Sequence, residues 1–162
     1  EAHNKGHTIG LHTYTHNYSK VYASVDAYFN DLNKVGKMVK GLIGFVPKYI
    51  RFPGGGSNMV SKKYTPGIMS VLVSEVQNRG YQYYDWNAST GDANGNNIAV
   101  HKLVKEATSS HAHNIMILAH DTKAKSTTVQ ALPKIIEYYQ GLGYTFKGID
   151  DNSYAPHHKV NN

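Results

Sequence analysis

Apolar residues recur at helical spacing in four stretches of the chain and gather into short runs between them. Val25, Phe29, Leu32, Val35, Val39 and Leu42 fall on one face of a helix that Ser24 caps and Asp26 favours from its first turn, ending near Gly41 or Gly44. Ile68, Met69, Leu72, Val73 and Val76 predict a second helix, closed by Gly80. Residues 98–107 predict a third. Val129, Leu132, Ile135, Ile136 and Tyr139 form the inner face of a fourth over residues 129–142, with Pro133 either kinking it or marking its first turn. Tyr49-Ile50-Arg51-Phe52, residues 81–86, residues 115–118 and Tyr144-Thr145-Phe146 predict strands. Ile115-Met116-Ile117-Leu118 is apolar at successive positions, as a central parallel strand would be. Helix and strand alternate, which predicts an α/β fold with parallel strands in a single domain over residues 1–162. The polar tail after Phe146 predicts loop or frayed chain.

Composition narrows the class. The chain has no cysteine, so neither a disulfide framework nor thiolate metal ligands are available. The formal charge is +6, which fits an anionic partner such as nucleic acid, anionic lipid or an acidic wall polymer, but fits a solvated basic surface better. The lysines are dispersed, with Lys62-Lys63 and the Lys123/Lys125 pair the nearest approach to a patch, so nucleic acid is not the expected partner. No apolar run approaches the roughly 20 residues that span a bilayer. Glu1-Ala2-His3-Asn4-Lys5 reads as the end of an amphipathic helix running into Gly6.

The candidate chemistry begins at His12-Thr13-Tyr14-Thr15-His16. On an extended strand these imidazoles would stand roughly 13 Å apart, too far for one ion, so a shared metal requires a turn, which Gly6, Gly10 and the threonines favour. Spacing alone leaves a metal pair and two surface histidines both open. Arg51, Asp85 and His120 fall at predicted strand ends, where α/β folds assemble chemistry. Each also has an ordinary alternative: Arg51 as an ion-pair partner, Asp85 as a turn cap, Trp86 and Leu118 as core, His120 as a local hydrogen-bonding group. His101, His111, His113, His157 and His158 read as surface residues.

Taken in order, His12-Thr13-Tyr14-Thr15-His16, Arg51-Phe52-Pro53-Gly54-Gly55, Asp85-Trp86-Asn87 and Leu118-Ala119-His120-Asp121 resemble the motifs of the polysaccharide deacetylases, the NodB-like carbohydrate esterase family four. The wording of the second and third motifs is most similar to the peptidoglycan deacetylases of Gram-positive bacteria. The resemblance implies a distorted (β/α) barrel and metal-assisted removal of N-acetyl groups from peptidoglycan N-acetylglucosamine, outside the cell or at its surface. It implies that His12 and His16 bind the metal, zinc or another divalent transition metal. His120 would be the general acid, Asp85 the residue orienting it, and Arg51 the tether of the base. Gly54 would offer its N–H to the oxyanion, and Trp86 and Leu118 would wall the acetyl pocket.

The family's leading motif, two consecutive aspartates supplying the base and a third metal ligand, has no counterpart before the histidines. The only Asp-Asp pair is Asp150-Asp151, in the tail. The expectation is therefore a catalytic domain truncated at its N-terminus, lacking a strand–helix–strand unit of roughly 30 or more residues. Chitin oligomers and acetylated xylan are alternative substrates within the same chemistry. A glycan-binding module of the bacterial surface, aromatic-rich from its 13 tyrosines, is the alternative of another class.

Overall fold

In a computed structural model describing residues 1–162, the chain packs as two compact units, residues 1–85 with 148–162 and residues 86–147. The first unit opens with a 3-10 turn at His3–Lys5, closed by Gly6 in the left-handed region, where an amphipathic helix end was expected. Then follow α1 (Tyr18–Val21), α2 (Val25–Ile43), β1 (Tyr49–Ile50), a second 3-10 turn at Ser61–Lys63, α3 (Ile68–Asn78) and β2 (Gln82–Tyr83). The Ser24 side chain accepts from the Ala27 amide and Gly44 ends α2 at a positive φ, so both punctuation signals act as the sequence predicts. The helix buries Tyr28, Phe29, Leu32, Val35 and Gly36, while Leu42 stays 78% exposed.

β1 and β2 pair in parallel, Tyr49 opposite Gln82 and Ile50 opposite Tyr83, and Leu11 extends the pairing by bridging Ile50. The core beneath them is unusually rich in phenol rings. Tyr22 stacks on Tyr28 at 6.4 Å between centroids, Tyr28 meets Phe52, and Phe52 meets Tyr83. The Tyr22 hydroxyl satisfies itself on the Pro53 carbonyl at 2.7 Å, whereas the buried Tyr28 hydroxyl has no partner.

The tail does not fray. The Pro156 carbonyl accepts the Asp85 amide, the His157 ring stacks on Tyr83 at 3.8 Å, and Asn162 is buried. The Asn162 side chain accepts the Gly67 amide at 2.7 Å and donates to the Ser61 hydroxyl at 2.8 Å. A polar sequence is held here by backbone hydrogen bonds, which hydrophobic patterning does not register.

The second unit contains β3 (Ala88–Ser89), α4 (Val100–Ala107), β4 (Ile117–Leu118) and α5 (Ser126–Gly141). β3 pairs in parallel with β4, Ala88 opposite Ile117 and Ser89 opposite Leu118. The strand expected over residues 115–118 shrinks to two residues that are only half-buried, and residues 144–146 form no strand. In α5 the packed face is Thr128, Ala131, Ile135 and Tyr139, and Val129, Leu132 and Ile136 are exposed. Pro133 lies inside the helix.

Candidate active site

In the first unit the histidine loop grows directly from the sheet. Leu11 donates to the Tyr49 carbonyl at 2.8 Å and accepts from the Arg51 amide at 3.0 Å, so His12 leaves the tip of the paired segment. A Cβ on Gly10 would stand 3.1 Å from the Tyr49 carbonyl oxygen, which explains the small residue there. Past His12 the chain turns sharply, with Thr13 at φ 61° and His16 at φ 49°. The turn brings the two rings to 5.0 Å between centroids at 62°, the convergence that the spacing required. His12 Nδ1 lies 2.7 Å from the Arg51 carbonyl. A carbonyl only accepts, so Nδ1 carries the proton and Nε2 carries the lone pair, the tautomer a metal-binding histidine needs.

Arg51 and Asp85 organise the glycine-rich loop after β1. Arg51 Nε donates to the Tyr84 carbonyl at 3.2 Å and Nη2 to the Asp85 carbonyl at 3.4 Å. Burial lowers its pKa and the Asp85 charge opposes that, leaving a guanidinium that stays charged at any working pH. The Asp85 side chain is fully buried. Its Oδ1 accepts the Gly56 amide at 2.7 Å and its Oδ2 the His158 amide at 2.8 Å. Gly54 is exposed at φ 76°, and a Cβ there would meet the Tyr18 hydroxyl at 2.7 Å, so the loop excludes a side chain on steric and conformational grounds together.

The second unit places His120 just past β4. Its backbone amide donates to Asp92 Oδ2 at 2.8 Å and its Nδ1 bonds Asp92 Oδ1 at 2.7 Å. The Thr128 hydroxyl adds a third bond, to Oδ2 at 3.0 Å. The Lys125 ammonium grips the main chain of the same turn through the Asp92 and Gly95 carbonyls. Burial alone would raise the Asp92 pKa, but the bonds from His120, Thr128 and Thr90 outweigh it and the net shift is downward. The ionised carboxylate accepts only, so His120 Nδ1 carries a proton and Nε2 is left for proton exchange. The imidazole is 40% exposed while the Asp92 side chain is 2% exposed, a buried anchor beneath an accessible ring.

This arrangement corrects the role predicted for Asp85. The carboxylate against the His120 ring belongs to Asp92, and Asp85 instead accepts two backbone N–H groups beneath the glycine-rich loop. Sequence reasoning passed over Asp92 because it lies in a polar loop. The available signal was Gly91-Asp92 shortly after a predicted strand, an acidic side chain at a turn. Trp86 and Leu118 are both half-buried in the second unit. A cavity of about 430 Å³ in the first unit, lined by His3, His7, Phe45, Lys48 and Asp150 among others, contains none of the predicted site residues. No group of three or more His, Asp or Glu side chains that could hold a metal together occurs in the chain. The residues present therefore fit two of the positions around an ion, through His12 and His16.

Comparison with known proteins fits this geometry. Residues 1–66 match the polysaccharide deacetylase family model. The structure superposes on the catalytic domain of peptidoglycan N-acetylglucosamine deacetylase from Eubacterium rectale with a TM-score of 0.94 at 41% identity, covering 99% of this chain and 73% of that one. A polysaccharide deacetylase of Bacillus cereus gives a TM-score of 0.79 at 26% identity, over 96% of this chain and 72% of that one. A peptidoglycan-N-acetylglucosamine deacetylase of the same species is 27% identical over 157 residues, 94% of this chain and 54% of that protein. The chain belongs to the polysaccharide deacetylase family, and its fold is that of the family's NodB-like catalytic domains. It spans about half the length of the curated relatives it matches.

Proposed function

We propose that the chain belongs to a metal-dependent hydrolase that removes N-acetyl groups from peptidoglycan N-acetylglucosamine at the surface of, or outside, a Gram-positive cell. The observation that carries this reading is the His120–Asp92 couple, a half-exposed imidazole fixed in one tautomer by a buried carboxylate. In amide hydrolysis the leaving amine must gain a proton, and His120 Nε2 is the group that gives it. Asp92 holds the ring in the orientation from which that transfer is made. Arg51 braces the chain from which the glycine-rich loop departs, and the Gly54 amide is the proposed oxyanion donor. His12 and His16, each offering one imidazole nitrogen, would hold the metal, with zinc proposed because imidazole suits it. When bound it would supply Lewis acidity toward the amide carbonyl. No residue of this chain is assigned the base.

Acetate release from N-acetylglucosamine oligomers and from isolated peptidoglycan is the test. His120→Ala is expected to lower kcat by about 10²- to 10⁴-fold, and chelation to remove activity that zinc restores. Full activity in His120→Ala would end the proposal. Chitin oligomers and acetylated xylan, run in the same assay, rank the alternative substrates. Release of protein from washed cells by salt, scored by immunoblot, checks the surface location that the +6 charge and an anionic wall favour.

A second reading, a glycan-binding module without turnover, draws on the two-ligand metal pair. Its other support is weaker, since five of the thirteen tyrosines, Tyr22, Tyr28, Tyr83, Tyr84 and Tyr139, are buried and offer no sugar platform. Glycan binding that survives both His16→Ala and chelation, with no acetate released, would favour it.

A further inference from the structure

The turn that joins His12 to His16 adopts conformations its residues resist. Thr13 is β-branched yet sits at φ 61°, His16 sits at φ 49°, and neither has glycine's freedom. The Thr13 hydroxyl is also buried without a hydrogen-bond partner. Such a turn persists only when its surroundings over-determine it. One side is held by the His12 bond to the Arg51 carbonyl. The other is held from outside the loop by one carboxylate, that of Asp31 on α2.

Three donors converge on Asp31. Its Oδ1 accepts the amides of Tyr14 and Thr15, the latter at 3.2 Å, and its Oδ2 accepts the Thr15 hydroxyl at 2.7 Å. One turn further along α2, the Lys34 ammonium lies 4.1 Å from the centroid of the Tyr14 ring. The platform is firm, because α2 runs 19 residues and buries Tyr28, Leu32 and Val35 around Asp31. Fixing Tyr14 and Thr15 fixes the two residues on either side of them in the motif's centre. We infer that Asp31 is a positioning residue that holds the His12 and His16 rings face to edge, and so sets the geometry in which the pair can take a metal. The ring geometry stands without the proposed function; only the metal step rests on it.

The test uses the whole chain with Asp31→Ala, Asp31→Asn and Thr15→Val. Zinc affinity is read by competition with a fluorescent chelator, the His12 and His16 rings by nitrogen-resolved NMR, and the loop by amide hydrogen exchange. Asp31→Ala is expected to weaken zinc about 10- to 100-fold, the loss typical when a group supporting a ligand is removed. It should also shift both ring signals and speed exchange at Tyr14 and Thr15, leaving α2 protected. Asp31→Asn, which keeps an acceptor for the two amides, should recover part of this. Thr15→Val, which deletes the hydroxyl's bond to Asp31 and the one it accepts from the Asn17 amide at 3.3 Å, should cost at least about fivefold.

Wild-type zinc affinity and ring signals in Asp31→Ala overturn the inference. So does a loss of protection throughout α2 accompanied by unchanged zinc binding and ring signals in Thr15→Val, which would make Asp31 a folding residue only. If the unsubstituted chain takes no zinc, the metal reading under the proposed function fails. The ring and exchange measurements then decide the positioning role alone, with unchanged ring signals in Asp31→Ala refuting it.

Discussion

The Asp92 carboxylate gathers bonds from the His120 amide, the His120 ring and the Thr128 hydroxyl, and these lower its pKa below the ordinary 3.8 despite burial. A group whose folded pKa is depressed stabilises the protein above its unfolded value, and that contribution disappears as the pH falls through the folded value. Asp92→Asn is accordingly expected to flatten the acid limb of stability below pH 3.8, read as urea midpoints across an acid series. Near neutral pH the variant should lose about 1.5–3 kcal/mol, the worth of a charge-assisted bond in a buried setting. Gly56 carries a different liability. A Cβ there would lie 2.8 Å from Asp85 Oδ2, a carboxylate already fixed by two amides, so Gly56→Ala should destabilise the first unit by about 1–3 kcal/mol in thermal unfolding. The role expected of Asp85 thus falls to Asp92, a residue for which the sequence suggested no role. Asp85 ends an apolar run and advertises itself, whereas Asp92 has no local pattern because the partner that defines it lies 28 residues downstream. His12, His16, Arg51 and His120 could be singled out because their residue types and order resemble a family's motifs; carboxylate partnership depends on a fold that one sequence does not display.

Helices were read with fair accuracy where capping and period agreed. α2 runs over Val25–Ile43 and α3 over Ile68–Asn78, close to their predicted spans. The four-residue α1 escaped notice, since its start is marked by the Asn17 side chain accepting the Lys20 amide and it is too short to show a period. In α5 Ile135 and Tyr139 are buried as expected, but Val129, Leu132 and Ile136 are exposed, and Thr128 and Ala131 complete the buried stripe. The buried stripe admits Thr128, a polar residue that hydrophobicity rejects, because its hydroxyl has Asp92 to bind. The observed stripe makes a contrast that calorimetry can check. Ile135→Ala should cost about 2–5 kcal/mol, and Val129→Ser, at a position 60% exposed, should stay within about 0.5 kcal/mol. The strands were foreseen as longer than they are. Their residues lie along the right segments, but regular pairing lasts two residues at each site before the chain turns into loops.

For the molecule as a whole, the alternation of helix and strand gave the α/β class and the parallel sense of both strand pairs. The proposed zinc site has a global test: added ion is expected to raise the melting temperature of the chain and to leave His16→Ala unmoved, since a ligand that binds only the folded state stabilises it by mass action. The division into two compact units had no sequence signature, because the stretch from 148 to 162 returns to the first unit through hydrogen bonds to main chain. That return has a practical meaning for anyone shortening the gene. Removing residues 156–162 would strip Asp85 of both its His158 donor and the Pro156 acceptor above its own amide, and would leave the Gly67 amide at the head of α3 without the Asn162 side chain. Asp85 would keep only its Gly56 donor and α3 would lose its tie to the tail, so the trimmed product should unfold at lower temperature although every motif residue is still encoded.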